Sequence, residues 1–167
     1  MDKTRFLVRL RDGRVATQDS DWIEPFDQLV DSDEVEFGWV DLQSPYAVDL
    51  EDLQAKFGFH PHAIDDCRRF DQRAKLEEFS GHWFWVFHGS SVHGSGVLEK
   101  GDMRFTELHA FLTPRWLVTV HQGAIESLEQ LFVRWSSPLS SKKVAGLAPL
   151  RAWSVVMDSL VEEHAQS

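Results

Sequence analysis

The 167-residue, 19.2 kDa chain has the length of one ordinary domain. Its 43% hydrophobic residues, twelve Phe and seven Trp among them, supply a bulky core and exclude a disordered chain. With 27 Asp and Glu against 17 Lys and Arg, the net charge of −10 repels nucleic acid and favours cations, although solubility alone accounts for it.

The single cysteine, Cys67, excludes an internal disulfide and suits a reducing compartment. The first residues, MDKTRFLVRLRDG, lack the apolar run of a secretory signal. The strongest apolar runs, 83–87 and 116–118, fall far short of the ~20 residues a membrane helix needs, so the chain as it stands reads as soluble.

Residues 5–10 (RFLVRL) read as a strand, and Asp12-Gly13 turns the chain into a hairpin return through Val15 and Thr17. Residues 18–33 are acidic and irregular, with room for a short helix over 25–29. Val35, Phe37 and Trp39 alternate with Glu34, Glu36 and Gly38 at strand period. Asp49 reads as the cap of a helix carrying Leu50, Leu53 and Phe57 and ending at Gly58; Pro61 opens a second short helix reaching about residue 69. Residues 75–79 and 83–87 flank Ser80-Gly81 as a hairpin. The run Trp83, Phe84, Trp85, Val86, Phe87 predicts a central strand covered on both faces.

Residues 89–101, rich in Gly and Ser, read as a flexible loop. Strands over 104–112 and 116–121 follow. Ile125, Leu128, Phe132 and Trp135 mark an amphipathic helix, 136–141 a Ser-rich break. Leu150, Trp153, Met157 and Leu160 mark a last helix that carries no terminator of its own. Hairpins and crossovers together predict an α/β fold: a mixed β-sheet sandwiched between helices, α/β/α.

Asp65 and Asp66 fall towards the C-terminal half of the short helix, where negative side chains oppose the macrodipole. Arg68 and Arg69 are near enough to answer them, which makes a solvated, locally paired surface. The other reading is a Mg²⁺ site, because a hard ion that keeps most of its waters needs only one or two carboxylates. Asp158 shares a polar helix stripe with Arg151, Ser154 and Glu162. His60 and His62 form an H-x-H pair, but at a helix start their rings diverge and His60 caps or packs. His82, His88, His109 and His121 lie in or beside strands, and the last three converge only if those strands are neighbours. Neither the serines at 90, 91 and 95 nor Cys67 has the context of an activated nucleophile, and no Gly-Lys-Ser/Thr completes a phosphate loop. Nothing in these patterns reads as an enzyme.

Five stretches in order resemble the N-terminal cytosolic domain of the CorA family of magnesium transporters and its ZntB-like zinc-transporting relatives. They are WVDL (39–42), KFGFHPHAIDDC (56–67), QRAKLEEF (72–79), AFLTPRWLVTVH (110–121) and LRAWSVVMDSLVEEH (150–164). The resemblance implies an α/β/α cytosolic domain over 1–146, and over 147–167 the start of a helical region leading to stalk and membrane helices that this chain lacks. It implies a homopentameric funnel in the intact transporter, on the cytoplasmic face of the inner (plasma) membrane, and a monomer or weak dimer for this fragment. It also implies a regulatory role: metal ligands at Asp65 and Asp66, with Asp158 near them, sense Mg²⁺, with Zn²⁺ and Co²⁺ as alternatives, and gate the pore. Two departures stand out: Ala74 replaces the usual proline of the QR-x-K motif, and Asp65-Asp66 replaces the commoner Glu-Asp. A stand-alone interaction module with the same fold and no transport role is the alternative of another class. A hydrolase built on His60, His62 and the Asp pair is a third.

Overall fold

The computed structural model describes residues 3–18, 23–92, 103–137 and 148–165. Among these residues seven strands form one sheet: β1 (Lys3–Leu10), β2 (Val15–Gln18), β3 (Val35–Gln43), β4 (Lys75–Phe79), β5 (His82–Val92), β6 (Met103–Leu112) and β7 (Trp116–His121). Their spatial order is β2-β1-β3-β7-β6-β5-β4. Only β3 and β7 pair in parallel, Gly38 opposite Trp116 through Gln43 opposite His121; every other pair among the described residues is antiparallel. The sheet is therefore mixed, and the hairpin turns expected at Gly13 and Ser80-Gly81 are present, with φ of 93° at Gly13 and 82° at Gly81.

Among the described residues five helices cover the two faces: α1 (Ile23–Leu29), α2 (Ala47–Phe57), α3 (Pro61–Asp66), α4 (Glu126–Ser136) and α5 (Pro149–Ala165). Alternation along the strands divides the core. Phe6, Val8, Val40, Leu42, Phe84, Phe111, Val118 and Val120 point to one face, against Phe26 of α1, Leu50 and Leu53 of α2 and Ile64 of α3. Leu7, Phe37, Trp39, Leu108, Ala110 and Leu117 point to the other, against Leu128, Phe132 and Trp135 of α4 and Trp153, Val156 and Leu160 of α5. The α/β/α layering expected from the sequence is what the chain adopts.

Several local expectations shift. β3 is not half-exposed: the run from Phe37 to Leu42 is buried, because helices cover both faces. β5 is penultimate rather than central, and Trp83 at its start stays 40% exposed beside the edge strand β4. The strand runs on through Val92, and the rest of the Gly/Ser-rich stretch, 93–101, lies outside the described residues, as does most of the Ser-rich break of 136–141. α2 begins two residues before Asp49, which is not the N-cap but the third helical residue, its carboxylate accepting the Tyr46 N–H at 3.0 Å. α3 stops at Asp66 with Cys67 as its cap, three residues short of expectation. Gly38 has no room for a side chain: a Cβ there would stand 2.2 Å from the Trp116 ring. No helix among the described residues is long and apolar enough to cross a membrane.

Candidate functional site

Pro61 at the first position of α3 and His60 as its cap set the direction of this six-residue helix, the His60 Nδ1 accepting the His62 N–H at 3.1 Å. Ala63, Ile64 and Cys67 anchor it to the core. That anchoring decides the fates of the two adjacent aspartates. Asp65 points outward, its side chain 66% exposed, with Arg68 3.6 Å away as a loose ion pair. Asp66 points inward, its side chain 5% exposed, and its Oδ2 accepts the Lys75 Nζ at 2.6 Å. His62 stands 3.9 Å from the same oxygen.

Lys75 reaches Asp66 from the first residue of β4 and also meets Glu77 Oε1 at 3.0 Å. Burial works to lower the Lys75 ammonium, but the hydrogen bonds to Asp66 and Glu77 outweigh it and hold the pKa above the ordinary lysine value. The pairing needed β4 folded beside α3, so the nine-residue spacing in the sequence gave no hint of it. Arg68, expected to answer the acidic pair, answers only its outer half.

Asp158 is exposed on α5, on the opposite side of the sheet from α3. Within one chain it does not approach Asp65 or Asp66. His60 and His62 do not converge: their ring centroids are 6.5 Å apart at 76°, His60 stacks on Phe79 at 4.6 Å, and its backbone N–H goes to His82 Nε2 at 3.2 Å. Among the described residues no three His, Cys, Asp or Glu side chains gather as a metal centre requires.

Two polar clusters lay beyond sequence reading. Next to Asp66, Glu107 takes the Gln72 N–H at 3.1 Å and pairs through its other oxygen with His109 Nε2. His88 stands 3.5 Å from Glu107 and 2.8 Å from the Gln72 carbonyl. Burial pushes the His109 pKa down against the pull of Glu107, so its ring is neutral and donates from Nε2. Of the three histidines that neighbouring strands were to bring together, His88 and His109 meet here, and His121 does not.

His121 lies on the other face with Asp41, Arg5 and Thr119, all four almost fully buried. Its Nε2 bonds Asp41 Oδ1 and its Nδ1 the Gly123 carbonyl, each at 2.8 Å. Both partners only accept, so the ring carries both protons. Burial opposes that charge, but Asp41 outweighs it and holds the His121 pKa above the ordinary value. Burial likewise works against the Asp41 carboxylate, and His121 and Arg5 still hold its pKa below the usual range. Thr119 Oγ1 donates to Asp41 at 2.6 Å and accepts the Trp39 indole N–H at 2.9 Å, while Arg5 pairs with Glu129 at 2.8 Å. Arg5, Asp41 and His121 knit the ends of β1, β3 and β7 to α4, a structural use of charge.

The fold resembles that of CorA-type domains. The soluble domain of CorA from Methanocaldococcus jannaschii superposes with a TM-score of 0.57 at 15% identity, over 81% of this chain and 47% of that one. The complete CorA magnesium transporter from the same organism gives 0.55 at 15% identity, over 84% and 37%, and the full-length CmaX protein 0.57 at 16%, over 78% and 38%. The sequence pattern of the CorA-like Mg2+ transporter protein family matches residues 34–162, and the chain belongs to that family. Among curated proteins, the one named "Putative metal ion transporter YfjQ", from Bacillus subtilis (strain 168), is 29% identical over 138 residues. Those residues are 82% of this chain and 40% of the relative, so the chain spans less than half the length of the proteins it matches.

Proposed function

We propose that this chain is the cytosolic regulatory domain of a divalent-cation transporter, with Mg²⁺ as the first expected ion and Zn²⁺ and Co²⁺ behind it. It works within a homopentamer on the cytoplasmic face of the membrane. The family membership carries this reading, and the split acidic pair of α3 gives it a physical form. Asp65 is exposed and fits a hydrated Mg²⁺, which keeps several of its waters and asks for few carboxylates. Asp66 fits only by exchange, because Lys75 already holds its Oδ2. Asp158 lies on the opposite layer, so it joins Asp65 only when supplied by another copy.

Carboxylates such as Asp65 that face one another between copies repel, and that repulsion favours subunits apart. Bound divalent metal supplies the opposing charge and so favours the closed assembly, provided that assembly binds it more tightly than the open one. The domain is then a feedback element rather than an enzyme. The test is metal-dependent flux through the intact transporter in vesicles. Asp65→Ala and Asp66→Ala are each expected to raise the internal Mg²⁺ concentration needed to shut the flux; unchanged inhibition in both would refute the assignment.

A further inference from the structure

β3 and β7 lie side by side and parallel, yet the chain leaves them in opposite directions. After Gln43 it crosses to the face of α2, and after His121 to the face of α4. Two connections that diverge from neighbouring carboxyl ends cannot fill the space between them, and in open α/β sheets that space is where ligands bind. Here it is a cavity of about 410 Å³, a size suited to a small organic molecule.

Its walls divide by chemistry. Pro45, Leu50 and Phe70 give it an apolar side, with the Cys67 thiol at the back. Ser44, Gln122 and Arg68 give it a polar one. Burial pushes the Cys67 thiol well above its ordinary pKa, so that wall carries no negative charge.

The Arg68 guanidinium is largely uncommitted. Its Nε stands 3.6 Å from Asp65, beyond hydrogen-bond length, and that is its only ion pair among the described residues. Its side chain is 39% exposed, and its terminal nitrogens form the planar fork that matches a carboxylate or phosphate. Ser44 adds a further sign of a built site. It holds the left-handed conformation at φ 49°, the one non-glycine among the described residues to do so. Its N–H goes to the His121 carbonyl at 2.7 Å and its hydroxyl oxygen accepts the Gly123 N–H at 2.9 Å. Those two bonds clamp the ends of β3 and β7 and leave the hydroxyl hydrogen for a ligand.

We propose that this crevice binds a small organic anion, its flat apolar body against Pro45, Leu50 and Phe70 and its carboxylate or phosphate on the Arg68 fork. The site adjoins Asp65, whose carboxylate stands 3.6 Å from the Nε of the same guanidinium, yet selects the opposite charge. The chain's net charge of −10 repels anions at large, so binding there requires the local fork and the apolar wall together.

The test is an amide NMR titration of the ¹⁵N-labelled 167-residue chain with phenyl phosphate and with benzoate, against phenol and inorganic phosphate. Saturable shifts confined to residues 44–50, 67–70 and 122–123, from either aryl anion and stronger than from phenol or phosphate alone, are the expected result. Which anion binds more tightly tells a phosphate site from a carboxylate site. Arg68→Gln should weaken binding about tenfold or more, the scale of a charge-assisted hydrogen bond. Ala47→Phe, which fills the rim of the cavity from an exposed position, should abolish it, and each variant's own spectrum reports its fold. No saturable shift from either aryl anion, equal shifts from inorganic phosphate, or unchanged affinity in Arg68→Gln would each overturn the proposal.

Discussion

Replacing Lys75 by Met asks what the ammonium on Asp66 is worth. The substitution keeps the length of the side chain and removes the charge, leaving a carboxylate 5% exposed with the His62 ring 3.9 Å away. Removing one partner of a fully buried pair costs about 3–5 kcal/mol. Lys75 is 29% exposed, which screens the interaction and brings the expected loss to about 2 kcal/mol. For a chain of this length that is a fall in Tm of about 4–8 °C. The stripped carboxylate should then accept a divalent cation in place of the ammonium. With Kd near 1 mM, 10 mM Mg²⁺ would restore about 1.4 kcal/mol, or about 3–6 °C. Differential scanning fluorimetry of wild type, Lys75→Met and the double variant Lys75→Met/Asp66→Asn, each with and without Mg²⁺, reads both effects. Equal rescue in the double variant would place the metal elsewhere, and an unchanged Tm in Lys75→Met would show that the ion pair does not hold α3 to β4.

The buried Asp41–His121 pair predicts a pH dependence of stability. The folded pKa of His121 is raised, so its contribution is fully present below the unfolded value of about 6.5 and is lost as pH rises through the folded value. Denaturant unfolding of wild type should therefore weaken above about pH 6.5 more steeply than that of His121→Gln, and parallel profiles would contradict the charged ring. The Trp116 ring, 2.2 Å from any Cβ at position 38, predicts that Gly38→Ala loses about 1–3 kcal/mol, again by denaturant unfolding; a neutral substitution would mean that the ring moves aside freely.

The layers were legible because their signals are local. The apolar runs of β1 and β7 and the helical spacing in α4 and α5 survive in any window of the sequence. Where expectation slipped, a distant contact decided. β3 reads as alternating, yet Glu36 is tied by Arg9 at 3.0 Å and Gly38 is roofed by the Trp116 ring, neither of which is near it in sequence. Asp49 has the look of a helix cap, but Tyr46 takes that place and uses the Asp49 carboxylate from inside the helix. The candidate site was legible only in outline. That two adjacent aspartates fall in the C-terminal half of a short helix follows from Pro61 and the spacing after it. That one faces water and the other a lysine follows from how α3 rolls on Ile64 and Cys67, which periodicity over six residues cannot fix. The Asp41 cluster was hidden for the same reason, its partners lying 36 to 80 residues away.

The two margins of the sheet bear on how copies of this domain meet. β2 is four residues long, and β4 carries Lys75, Glu77 and Glu78 among its five. A short margin and a charged one are poor templates for a foreign strand. Joining sheets edge to edge is thereby discouraged at both ends, and in the proposed assembly contact between copies would fall to the helical layers, whose exposed Val133 on α4 and Leu150 and Val161 on α5 offer apolar surface. A helical contact can slide or separate in small steps, whereas a shared strand ladder must be broken bond by bond, so this sheet would leave the proposed assembly free to loosen without unzipping.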